Sequence, residues 1–104
     1  MARLQFNAVY PAIYGASATW DAGSIADGDE EVKEVTVKGA ALGDVVECSL
    51  SIDVADLNLT GQVTAANTVT LQLNNNTGGA IDLASCTAYV LVKHIDWTTV
   101  IDLT

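Results

Sequence analysis

The sequence predicts an all-β protein, a small antiparallel β-sandwich of jelly-roll-like form with an extended N-terminal arm. Three observations predict it. Apolar residues recur with period two along several segments, the spacing that sends alternate side chains to opposite faces of a strand. No long segment shows apolar residues at i, i+3, i+4 and i+7, so no helix is expected. Val, Leu, Ile, Ala and Thr dominate the 104 residues, with a single proline at Pro11, a composition suited to a pleated, half-buried surface. A chain of this length fits one domain and buries roughly 60–70% of the surface its unfolded form exposes.

Residues 1 to about 30 are expected to form an arm or long connection, and residues 31–104 the sandwich. The segment "MARLQFNAVYPAIYG" sets Leu4, Phe6, Ala8 and Tyr10 at alternate positions, and the following "ASATWDAGSIADGDEE" is rich in small residues. "EEVKEVTVKG" then predicts a strand with Val35 and Val37 inward, and "GAALGD", residues 39–44, connects it to the next. That next segment, "DVVECSLSIDV", alternates most clearly. Val46, Cys48, Leu50, Ile52 and Val54 point one way, while Glu47, Ser49, Ser51 and Asp53 point to water.

"DLNLTGQVTA" and "TVTLQLN" read as a hairpin turning at residues 65–67. Leu57, Leu59 and Val63 share one face of the first strand, and Val69, Leu71 and Leu73 point inward on the second. Gly61 falls on the apolar side and marks a bulge or close packing. "NNNTGG" supplies side chains that tolerate tight turns and glycines that permit positive φ, so it is a loop between strands. In "SCTAYVLVKHIDW", Cys86, Ala88, Val90 and Val92 share a face, and the other face carries Thr87, Tyr89, Leu91 and Lys93. A strand this apolar on both sides is central in its sheet or covered by another chain. "TTVIDLT" is a candidate last strand, for five or six in all.

Four basic and thirteen acidic residues give a formal net charge of -9. No basic stripe exists to neutralise phosphates, which argues against nucleic acid as a partner, and an anionic membrane would repel the chain. Arg3, Gln5 and Asn7 interrupt the apolar start, so no signal peptide is read there, and no run approaches the ~18 apolar residues of a span. The expected place of synthesis is the cytosol.

Candidate chemistry is sparse. His94 is the one histidine, and no G-x-S-x-G elbow accompanies it, so it reads as a surface or interface side chain. "DGDEE" clusters hard oxygen ligands without the spacing of an EF-hand and reads as a solvated charge run. Cys48 and Cys86 with His94 fall short of a zinc set; they read as small buried side chains, with a disulfide the alternative. Asn58-Leu59-Thr60 and Asn75-Asn76-Thr77 match the glycan acceptor pattern, which means little without a secretion signal. No catalytic residue, metal or cofactor is expected. Trp20 and Trp97 are the side chains suited either to anchoring a contact or to filling a small core.

Residues 34–92 resemble a small β-domain of tailed-phage virion structural proteins. The resemblance rests on "GAALGD" at 39–44, "AANTVTLQL" at 65–73 and "NNTGGAIDLAS" at 75–85, in that order and spacing. Cys48, Cys86 and the N-terminal arm depart from it. The resemblance implies a virion component and no enzyme: a capsid decoration (cement) protein on the capsid exterior, made in the host cytoplasm, with the major capsid protein as partner. A head- or tail-fibre module for host attachment is the alternative. On that reading Leu4, Phe6, Tyr10, Tyr14 and Trp20 are the candidate capsid contacts. Tyr89, Leu91 and Trp97 are the candidates for self-association into a dimer or trimer.

Overall fold

A computed structural model describes residues 12–95. Eight strands follow one another: β1 (Ala12–Trp20), β2 (Gly23–Ile25), β3 (Glu30–Thr36), β4 (Val45–Leu50), β5 (Asn58–Ala65), β6 (Thr68–Asn74), β7 (Ile81–Leu83) and β8 (Cys86–His94). Every pairing is antiparallel, and the sheets are β1-β8-β4, β3-β6-β5 and the short β2-β7. The pairs β1:β8, β2:β7 and β3:β6 nest one inside the next, and β4 of the first sheet packs against β5 of the second. That nesting is the ribbon wrapping of a jelly roll, and the all-β sandwich expected from period-two alternation is what forms.

The core lies between the two three-stranded sheets. Val69, Leu71 and Leu73 of β6 are each 0% exposed. They face Ala88, Val90 and Val92 of β8, with Val35, Val63 and Trp20 closing the sides. β8 is the central strand of its sheet, as its two apolar faces predict. Gly61 sits where a Cβ would come within 2.8 Å of Leu71 Cδ2, so close packing explains it, and the bulge falls later, between Val63 and Ala65.

Two departures from the sequence reading concern length and position. The arm expected over residues 1–30 is sheet from Ala12 onward: β1 pairs with β8 over nine residues, Ala12↔His94 through Trp20↔Cys86. Residues 1–11 and 96–104 lie outside the described residues, and with them the expected last strand. The strand expected to run to Val54 stops at Leu50. There Ala55 and Asp56 take positive φ of 54° and 68°, and Asp53 Oδ1 accepts the Ala55 N–H at 3.0 Å.

Buried polar groups pin the loops. Asn75 is 0% exposed. Its Nδ2 donates to the Ile25 and Gly79 carbonyls at 2.8 Å each, and its Oδ1 accepts from the Thr77 N–H and hydroxyl at 2.9 and 2.7 Å. Its own backbone bonds Gly28 and Asp29, and Asp27 Oδ1 accepts the Gly78 N–H at 3.0 Å. The "NNNTGG" loop is thus zipped to the β2–β3 turn. Asn67 does similar work at the β5–β6 turn: at φ 62° its Oδ1 accepts the Gly39 N–H at 2.8 Å.

Candidate partner-binding surface

The register of the β1-β8-β4 sheet defines its outer face row by row. Ile13, Lys93 and Val45 form one row, Gly15, Leu91 and Glu47 the next, and Ser17, Tyr89 and Ser49 the third. Most of these outward positions alternate with half-buried or buried inner ones, so the pleat alone dictates the face. Four large apolar side chains are exposed on it: Ile13 at 57%, Tyr89 at 48%, Val45 and Leu91 at 37% each. Gly15, Ser17 and Ser49 are small, so Tyr89 and Leu91 stand as a ridge. Beside it opens a shallow depression of about 430 Å³ whose lining includes Glu47, Ser49, Tyr89 and Leu91. Lys93 Nζ pairs with Glu47 Oε1 at 2.7 Å across the β8–β4 ladder, which neutralises the one carboxylate inside the patch.

The candidate contact residues separate accordingly. Tyr89 and Leu91 share this face. Tyr14 points the other way, half-buried against the core, with its ring where a Cβ on Gly39 would lie 2.6 Å from Cε1. Trp20 is 4% exposed and belongs to the core cluster. Its place in the capsid-contact set is corrected: a side chain so covered fills volume and offers no surface. Leu4, Phe6, Tyr10 and Trp97 lie outside the described residues. Ile13 and Val45 were not singled out in the sequence. Their signal is positional: each sits opposite Lys93, one strand away from the Tyr89/Leu91 ridge.

Several titratable side chains hold turns and strand ends in place. His94 Nδ1 lies 2.8 Å from Asp44 Oδ1, and Asp44 Oδ2 accepts the Ala41 N–H at 2.9 Å. The Asp44 side chain is 3% exposed, so the pair ties the 39–44 turn to the end of β8. Asp29 Oδ1 accepts the Glu30 N–H at 2.8 Å, as Asp27 caps Gly78. Among the described residues no group of three or more His, Cys, Asp or Glu side chains converges as metal ligands would.

Cys48 and Cys86 are free and half-buried. Cys48 pairs with Val90, four positions along β8 from Cys86; at ~3.3 Å per residue that separates them by about 13 Å, beyond the ~7 Å that a disulfide can bridge. Burial pushes both thiols above the ordinary cysteine range. Alkylation at neutral pH is therefore expected to be slow in the fold and fast in denaturant, measured by mass spectrometry. A thiol with a higher pKa folded than unfolded ionises first in the unfolded chain. Stability should then decline as pH rises from the unfolded thiol pKa through the folded one, and Cys48→Ser should weaken that decline in urea titrations.

No family model matches the chain, and no curated protein matches it either.

Proposed function

We propose that this chain is a capsid decoration protein of a tailed phage, which binds the outer surface of the assembled coat lattice and stabilises the head. The observation that carries the reading is the exposed apolar patch of Ile13, Val45, Tyr89 and Leu91 on a domain with a formal net charge of -9. A strongly acidic domain gains solubility from its charge, and an exposed apolar patch on it suits a partner surface. The resemblance over residues 34–92 supplies the kind of partner. Contacts made by several copies to neighbouring coat subunits add avidity without any one strong contact. Binding only the assembled lattice stabilises it by mass action.

The test is co-sedimentation with mature capsids that lack the protein, against unassembled coat protein as control. Saturable binding to capsids alone is expected. Tyr89→Ala with Leu91→Ala should weaken it by roughly thirtyfold or more, the ~2 kcal/mol of a truncated hot spot, while the melting temperature changes little. Absence of capsid binding would overturn the reading in favour of a fibre module.

A further inference from the structure

We propose that the outer edge of β1 is a self-pairing edge, and that two copies join there about a two-fold axis into one continuous sheet. The proposal rests on the edge itself and holds whether or not the partner is a capsid. β1 is an outer strand of its sheet, and among the described residues no strand lies beyond it.

The direction of its main-chain groups follows from β8. The Ser51 N–H donates to the Thr87 carbonyl and the Thr87 N–H to Ser51 Oγ, both at 2.9 Å, so Thr87 bonds toward β4. Bonding direction alternates along an antiparallel strand. Ala88, Val90, Val92 and His94 therefore bond toward β1, where their partners are Ala18, Ala16, Tyr14 and Ala12. The remaining residues, Ile13, Gly15, Ser17 and Thr19, direct their N–H and C=O groups outward. That row is centred on Ala16. An antiparallel copy in the register Ile13↔Thr19 and Gly15↔Ser17, with Ala16 opposite itself, pairs every outward donor and acceptor.

The other three outer strands of the two three-stranded sheets carry features that block such pairing. β3 bears Glu30, Glu31, Lys33 and Glu34, and Lys33 is half-buried on the inward side. β4 bears Glu47 and is flanked by Asp44 and Asp53. β5 is broken by its bulge between Val63 and Ala65. Charges and bulges are the devices that keep sheet edges apart. β1, "AIYGASATW", has neither across nine residues in unbroken register. The thirteen acidic residues all follow it, beginning at Asp21, so two strongly acidic chains can meet at β1 without opposing like charges. The joined sheet would also bring the two Ile13–Leu91–Tyr89 patches onto one surface.

The full-length chain is expected to sediment at twice its 10.8 kDa mass at high concentration. Ser17→Pro removes one outward N–H and places a ring in the path of the partner strand, a change an edge position tolerates; the dimer should be lost and the far-UV spectrum kept. Ala16→Cys should form a disulfide-linked dimer under mild oxidation, because two-fold-related residues at a non-hydrogen-bonded site lie ~4.5 Å apart. The wild type, with its own two cysteines, and Ile13→Cys should not. A monomeric wild type, including one whose edge is covered by its own residues 1–11, would overturn the proposal. So would a dimer or trimer that Ser17→Pro leaves intact, or an Ala16→Cys chain that does not cross-link. If Ser17→Pro fails to fold, the cross-link decides.

Discussion

Asn75→Ala should destabilise the fold by about 3 kcal/mol, lowering the melting temperature by on the order of 12–20 °C. The side chain is 0% exposed and fully satisfied. Truncation takes the Asn75 donor from the Ile25 carbonyl in the core, and Ile25 is 1% exposed. A buried acceptor left unpaired costs roughly 1–3 kcal/mol, and each further bond lost adds about 1. Gly79 and the Thr77 hydroxyl are near the surface, so water offsets part of their loss. Asn75→Asp keeps the shape and tests the cause. Its carboxylate would face two carbonyl oxygens where an amide now donates, and burial would raise its pKa above the unfolded value. A group whose folded pKa is raised holds its stability at low pH and loses it as pH rises. The aspartate variant should therefore be weakest near neutrality and recover relative to wild type on acidification, in urea titrations at the two pH values. Equal losses at both would mean that the amide's hydrogen bonds are not what holds the loop.

That residue also marks a limit of sequence reading. "NNNTGG" is legible as a loop because Asn and Gly suit tight turns. Which of three consecutive asparagines turns inward is set by β2 and the 26–29 turn, about fifty residues away, and no local pattern encodes that. The β5–β6 hairpin was legible for the opposite reason. One short turn links its strands, and large apolar side chains alternate with Thr, Gln and Asn, so contrast along the chain is high. β1 has little such contrast. Ala16 and Ala18 face the core while Gly15 and Ser17 face out, and residues this similar in size and polarity hide a period of two. β2 and β7, at three residues each, are too short to show any period.

The outer face shows the same division. The two apolar sides of β8 were readable, and with them Tyr89 and Leu91. Ile13 and Val45 join those residues only through the register of β1 and β4 on either side, a long-range pairing. Trp20 carried two readings in the sequence, contact or core, and a bulky aromatic in a small domain short of aromatics goes to the core.

Leu71→Ala should cost about 3 kcal/mol, within the 2–5 expected for a fully buried leucine, and the size of the loss should depend on Gly61. Leu71 is 0% exposed on the central strand β6, directly opposite Gly61 on β5. A Cβ at Gly61 would sit 2.8 Å from Leu71 Cδ2, 3.1 Å from Val46 Cγ1 and 3.3 Å from Cys48 Sγ. Gly61→Ala alone therefore overpacks the junction of the two sheets and should destabilise by roughly 1–2 kcal/mol. In the double variant the new methyl enters space the leucine has left, so the cavity shrinks and the clash with Cδ2 disappears. The loss in the double variant should then fall short of the sum of the two single losses by about 1 kcal/mol or more, a coupling typical of residues in contact. Urea denaturation of the four proteins completes the cycle. Strict additivity would mean that Gly61 is there for backbone reasons and not to make room for Leu71.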